Sequence, residues 1–322
     1  MIIFSIVVCT YNRASQLKTL LNTLVEQKLP IDLYEVLIVD NHSTDETSDI
    51  AKGYCTIHKN WRYIFEGKQG LSNARNRGWQ EAGGEYVVYT DDDCKVPPEW
   101  LLNAKIIAEE ISPGMFGGPY YPFYQSPKPG WIKDIYFSKS IGDSAHVLHA
   151  GEYLSGGNFF IKKRLIEKIG GFSTELGMVG AVLRIGEETA LQNWVHKNLP
   201  EEVIFGDPSI YVYHLVPEYK MHLSYRAKRF FIQGVDRNKI SLRKHNQSAS
   251  ELPSLIYSSM LLFLYFIRFL ISLTIQTMFR DRKKYPNFRN YWFERSFIFF
   301  ERLGQSWSQW STIFKRRNYQ ND

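Results

Sequence analysis

The chain has 322 residues, 44% of them hydrophobic and 22% charged, the balance of a folded chain, which excludes a disordered one. Its net charge of +6 suits an anionic partner such as a nucleotide diphosphate, a nucleic acid or an anionic lipid. Cys9, Cys55 and Cys94 show no C-x-x-C spacing, which argues against a zinc site and for a reducing, cytosolic compartment.

The run Ile2 to Cys9 is apolar and β-branched and predicts a central strand buried on both faces. Its apolar part is short and no A-x-A-like site follows, so it does not read as a signal peptide. Thr10-Tyr11-Asn12-Arg13 breaks the strand. Ser15 is then placed to cap a helix from Gln16 to about Gln27, with Leu17, Leu20, Leu21 and Leu24 on one face. Glu35 to Val39 predicts a second strand running into Asp40, where Asp40 and Asn41 also suit the cap of a following helix. Arg62 to Phe65 reads as a third strand, and a polar helix lies between Gly70 and Gly84.

The glycine pair Gly83-Gly84 leads into Tyr86-Val87-Val88-Tyr89, a buried strand that ends in Asp91, Asp92 and Asp93 before the break at Pro97-Pro98. Three adjacent carboxylates repel one another. A hard divalent cation relieves this, since Mg2+ and Mn2+ take oxygen ligands and share them with phosphates. The other reading is a solvated acidic turn. Strand and helix alternate, which argues a parallel sheet with helices on both faces. Ligands of such sheets bind outside the carboxyl ends of the strands, so Thr10, Asp40 and Asp91 to Asp93 are expected to converge on one crevice.

CTYNR at 9–13, VDNHSTDET at 39–47, GLSNARNRG at 70–78 and YTDDD at 89–93 share the order and spacing of family 2 glycosyltransferases, which the chain resembles over roughly residues 1–240. The resemblance implies a GT-A fold, Rossmann-like, with a mostly parallel sheet. It implies an inverting enzyme that uses a nucleotide-diphosphate sugar, UDP by preference, and Mn2+ or Mg2+. Thr10 and Tyr11 match the wall of the base pocket, and Asp40 the acid facing a uracil-like edge. Arg75 matches a diphosphate or base contact, with Asn76 and Gly78 shaping its turn, although it also suits an exposed helix charge. Asp91 matches the ribose-holding acid and Asp93 the metal ligand, with Asp92 as the alternative.

Further along, Gly117 to His149 is rich in Gly, Pro and aromatic residues and suits either acceptor positioning or ordinary loop packing. Ser155 to Ile161 is a further family-like strand, and Ser173 to Ile185 has the glycines of a mobile lid. Gly186-Glu187-Glu188 stands where the family usually reads G-E-D, so Glu188 matches the catalytic base with one extra methylene. A pair of acids at a helix start is also favourable by itself. His214 matches a histidine that completes the metal site or touches the diphosphate, and a structural role fits it equally. A Q-x-x-R-W motif does not follow Glu188, which favours transfer of one sugar per encounter over polymerisation. Two other classes remain: a non-catalytic nucleotide-sugar binding module, and a nucleotidyltransferase, which would bring a Gly-rich basic phosphate loop that CTYNR is not.

Leu255 to Phe279 is apolar apart from Arg268 and scattered Ser, Thr and Gln. As a helix it extends ~37 Å, enough to span a bilayer. Ser254, Tyr265, Ser272 and Gln276 give Arg268 a weak polar side. Basic residues lie on both flanks, Arg237 to Lys244 before and Arg280 to Arg289 after, so a single span would place one cluster outside. With the aromatic and basic tail that follows, residues 250–322 are expected to lie in the interface, or to dip in and return, at the cytoplasmic face of a membrane. The expected division is a GT-A catalytic domain, 1–245, with a nucleotide-sugar half at 1–115 and an acceptor half at 116–245, then a membrane-associating helical region at 246–322. The expected partners are the donor, a saccharide or lipid-linked acceptor and the membrane surface, with no nucleic acid.

Overall fold

The computed structural model describes residues 1–180, 184, 186–245 and 255–319. Two units divide the chain: Met1–Phe123, Asp134–Val182 and Glu187–Val216 form the first, and Tyr124–Lys133, Leu183–Gly186 and Pro217–Asp322 the second. The expected boundary at 245/246 borders on 246–254, which lie outside the described residues.

The first unit runs β1 (Phe4–Thr10), α1 (Ala14–Val25), β2 (Tyr34–Asp40), α2 (Thr47–Ile57), β3 (Trp61–Phe65), α3 (Leu71–Glu81), β4 (Tyr86–Asp91), β5 (Cys94–Lys95), α4 (Trp100–Glu110), β6 (Met115–Gly117) and β7 (Tyr120–Tyr124). It continues with β8 (His146–Val147), β9 (Asn158–Lys162), α5 (Lys163–Ile169), α6 (Glu187–Asn198), β10 (Ile204–Gly206) and β11 (Val212–Val216). Eight strands form one sheet in the order β3-β2-β1-β4-β9-β6-β10-β8, and β5-β11-β7 form a small second sheet. β3, β2, β1 and β4 are mutually parallel, as the alternation requires. β9 departs from it, running antiparallel between β4 and β6.

The period-2 side-chain alternation of β1 explains why the sheet is covered twice. Phe4, Ile6 and Val8 join one core, with Leu17, Leu20 and Leu21 of α1 and Trp100 of α4. Val7 points into the opposite core, with Ala74 of α3, Leu165 of α5 and Leu191 of α6. Gly78 lets α3 lie on β1, because a Cβ there would collide with the Val7 side chain. The start of α1 differs from expectation. The helix begins at Ala14 with no side-chain cap from Ser15. Asp45, from the loop after β2, accepts the Ala14 backbone N–H at 3.3 Å instead.

The second unit holds α7 (Leu223–His245), α8 (Leu255–Leu273), α9 (Ile275–Met278), α10 (Phe288–Tyr291) and α11 (Phe297–Tyr319). The expected single helix is interrupted at Thr274, with φ −107° and ψ −87°. α11 packs on both α7 and α8. Gly234 and Gly304 permit the close crossing of α7 and α11, since a Cβ at either would strike the other helix's backbone at Glu301 or Phe231.

Candidate active site

The strand registers bring the motifs together. Thr10 pairs with Asp40 across β1 and β2, and Cys9 pairs with Asp91 across β1 and β4, so the three strand ends lie side by side. Asn12, at φ +50°, accepts the Thr44 backbone N–H at 2.7 Å and ties the first motif to the second. Asn41 ties the second to the third: its amide donates to the carbonyls of Glu66 and Lys68, and its Oδ1 accepts the Gly70 N–H at 2.7 Å. Neither Asp40 nor Asn41 caps α2. Asp40 is 1% exposed and accepts from the Ser43 N–H at 2.9 Å and the Tyr63 hydroxyl at 2.8 Å. Burial, then Asp40, raises the Tyr63 phenol, which keeps it a donor. Thr10 is buried beside them, and Tyr11 is half-buried.

The three aspartates have three environments. Asp92 is buried and accepts from Arg13 Nη1 at 2.8 Å. Burial pushes its carboxyl up, to about 6, against the pull of that guanidinium. Asp93 is also buried, with Oδ2 3.3 Å from Arg13 Nη1 and Oδ1 3.3 Å from His214 Nε2. Asp91 is half-exposed, with Oδ2 3.9 Å from the same His214 nitrogen. The small sheet delivers His214: β11 pairs with β5 so that His214 stands opposite Cys94, and the Leu215 N–H donates to the Asp93 carbonyl. Gly157 in turn makes room for Asp91, because a Cβ there would lie 2.5 Å from its Oδ2.

One ligand atom from each of Asp91, Asp93 and His214 lies within 4.8 Å of the others. Two carboxylate oxygens and an imidazole nitrogen are a donor set that Mn2+ accepts. The surrounding acids outnumber the nearby guanidinium groups, so a divalent cation fits the charge as well as the ligand chemistry. Cys9 takes no part: burial raises its thiol to about 12, which keeps it protonated and unreactive.

Arg75 is neither an exposed helix charge nor turned to solvent. It is 3% exposed, with Nη1 2.6 Å from Glu187 Oε1 and Nη2 donating to the Gly156 carbonyl at 3.3 Å. Asp91 Oδ1 lies 3.6 Å from Nη2, and the rings of Phe172 and Tyr89 flank the guanidinium. Glu187 and Glu188 open α6 with different surroundings. Glu187 is 5% exposed and held by Arg75, while Glu188 is half-exposed. Burial, then the neighbouring Glu188, pushes the Glu187 carboxyl up, and Arg75 opposes this. A Cβ on Gly156 would come within 2.8 Å of Arg75 Nη2 and 3.3 Å of Glu188 Cδ, so Gly156 seats both groups.

Removing one partner of a buried ion pair leaves the other uncompensated, at a cost of ~3–5 kcal/mol. Arg75→Met is therefore expected to lower unfolding stability by that order in chemical denaturation. Arg75→Met with Glu187→Leu should recover much of the loss, because both charges then leave together. Equal stability of the single variant and the parent would refute the buried pair.

Of the expected lid, the described part is fastened to α3. The Leu71 N–H donates to the Met178 carbonyl at 2.7 Å, and the Ser72 hydroxyl to the Leu176 carbonyl at 2.8 Å. Residues 181–183 and 185 of that stretch lie outside the described residues. Two residues bind the site together, Arg13, which carries no site role in the sequence reading, and Glu187, which stands there only as the neighbour and alternative of Glu188. The signal for Glu187 was its adjacency to Glu188, and for Arg13 its place in CTYNR.

Residues 5–170 match the profile described as "Glycosyl transferase family 2". Glycosyltransferase AglE of Haloferax volcanii is 28% identical over 173 residues, 53% of this chain and 56% of the relative, so the match spans about half of that protein. Among solved structures, S. aureus TarS 1-349 in complex with UDP-GlcNAc superposes with a TM-score of 0.56 at 18% identity, covering 98% of this chain and 92% of that one. The mannosyltransferase PcManGT from Pyrobaculum calidifontis, in complex with GDP-Man and Mn2+, gives 0.55 at 21% identity over 74% of this chain and 64% of that one. At these identities the likeness is one of fold, the GT-A fold expected from the motifs.

Proposed function

Because the chain belongs to glycosyl transferase family 2, we propose that it is an inverting, metal-dependent glycosyltransferase that moves one sugar from a nucleotide-diphosphate donor, UDP by preference, to a saccharide or lipid-linked acceptor. The observation that carries this reading is the cluster of Asp91, Asp93 and His214 at the end of β4, with the half-exposed Glu188 beside Gly156. Such an enzyme would serve the assembly of a cell-surface polysaccharide or glycan, at the cytoplasmic face of a membrane, as a peripheral or monotopic protein.

In this reading Thr10, Tyr11 and Asp40 receive the nucleoside, Tyr11 offering its ring and Asp40 an acceptor oxygen. Asp91 holds the ribose and, with Asp93 and His214, would hold a divalent metal. A divalent cation bound there supplies positive charge to the leaving diphosphate. Glu188 takes the proton of the acceptor hydroxyl as its oxygen attacks C1. The new C1–O bond forms as the bond from C1 to the phosphate oxygen breaks, and its electron pair leaves with the nucleoside diphosphate. One displacement inverts C1, so no residue is needed as a covalent nucleophile. Asp92 holds Arg13, which stays close to Asp93. Arg75 fixes Glu187 and is thereby a positioning residue for its neighbour Glu188.

The test is to incubate the full chain and Mn2+ with radiolabelled UDP-sugars and GDP-sugars and a membrane extract, and to identify the released product. Release of nucleoside diphosphate with label moved onto an acceptor is expected. In a parallel incubation with radiolabelled nucleoside triphosphates in place of the nucleotide sugars, release of pyrophosphate would assign nucleotidyl transfer instead. Donor binding that never yields product with any extract would favour a binding module.

A further inference from the structure

We infer that α8 lies in the plane of an anionic membrane, with one face in the lipid and Arg268 at its edge. This deepens the membrane reading above and rests on it.

Ile256–Met278 is, among the described residues, the one stretch long and apolar enough to cross a membrane by length and composition. The structure gives that stretch two unlike sides. At about 100° per residue, Ile256, Met260, Phe263, Leu264, Leu270 and Ile271 fall within an arc of about 120°. All six are exposed, Ile256 at 75% and Phe263 at 68%. On the opposite side Ser272 bonds to Ser296, the Phe269 ring stacks on Phe300 of α11, and Ser258 is buried. Arg268 is exposed and falls just outside the apolar arc, beyond Leu264. From there its stem can run along the lipid face while the guanidinium reaches the headgroups.

The neighbours of α8 decide between lying and spanning. Arg302 of α11 stands over the Tyr265 ring, 5.8 Å from its centroid and level with the middle of α8. Glu301 beside it pairs with Arg237 of α7 at 2.8 Å. A spanning α8 would carry these charges into hydrocarbon, where ionised groups are strongly disfavoured. In the plane, the same charges stay on the water side. The partner's charge follows from Arg282, Lys283, Lys284 and Arg289, all exposed just beyond the helix, which complement anionic headgroups. A long exposed apolar stripe with basic residues at its rim is the pattern of an interfacial helix.

The experiment is flotation of the detergent-purified full chain with vesicles of phosphatidylglycerol and phosphatidylcholine, or of phosphatidylcholine alone, after detergent removal. Calorimetric UDP binding with Mn2+ is measured on the same samples. The expected result is binding to the anionic vesicles, weakened by salt, with a fluorophore on Arg268→Cys quenched by lipid labelled near the headgroups and not at the bilayer centre. Phe263→Glu with Leu270→Glu should lower vesicle binding about tenfold or more with UDP affinity unchanged. Ile57→Glu, on an exposed apolar residue of α2, should change neither. Equal binding to neutral vesicles overturns the anionic partner, and strong quenching of a fluorophore on Arg268→Cys by lipid labelled at the bilayer centre overturns the in-plane arrangement while leaving the membrane reading intact. A parent protein that floats with neither vesicle, or that buries this face in a soluble dimer made monomeric by Phe263→Glu, overturns both.

Discussion

Asp93→Asn is expected to abolish sugar transfer and to weaken UDP binding only when Mn2+ is present. Asp93 is buried between two partners, Arg13 on Oδ2 and His214 on Oδ1. The amide keeps the shape of the carboxylate but removes its charge, and it sets an NH2 group against either the Arg13 guanidinium or the metal position. The Arg13 pair with Asp92 survives, so the fold should persist and the loss should fall on metal binding. Turnover of UDP-sugar and UDP calorimetry, each with Mn2+ and with EDTA, check this together. A variant as active as the parent would remove Asp93 from the metal site.

Glu188→Gln is expected to keep donor affinity and to lose about 10²–10⁴ in turnover, the usual contribution of a general base. The amide preserves size and the helix start but cannot accept the acceptor's proton. Glu187→Gln should behave differently. It leaves the buried Arg75 with only the longer, 3.6 Å contact to Asp91 as a charged partner, so it should lower thermal stability first and act on turnover through the altered position of α6. Initial rates over a range of acceptor concentrations, with melting curves of both variants, separate the two roles. An active Glu188→Gln beside a stable but inactive Glu187→Gln would exchange the assignments.

The core around β1 to β4 was legible because its signals are local. Ile2 to Cys9 is an apolar, β-branched run, the leucines of α1 recur at helical spacing, and β1, β2 and β4 end on the polar residues Thr10, Asp40 and Asp91. The antiparallel course of β9 was not legible, since an apolar run such as Asn158–Lys162 carries no direction. Arg13 was missed because its partners, Asp92 and Asp93, lie 79 and 80 residues away. The division between Glu187 and Glu188 likewise depends on where Arg75 sits, a fact of α3 packing on β1. The side of α8 on which Arg268 falls became meaningful only once α11 was seen to cover the other side.

The central claim is that Asp91, Asp93 and His214 hold the donor diphosphate through a divalent metal. Calorimetric titration of UDP into the full chain, once with Mn2+ and once with EDTA, tests it most directly. The account predicts saturable binding with Mn2+ that weakens sharply in EDTA, and in Asp93→Asn weak binding under both conditions. Equal UDP affinity of the parent protein with and without the metal would contradict it.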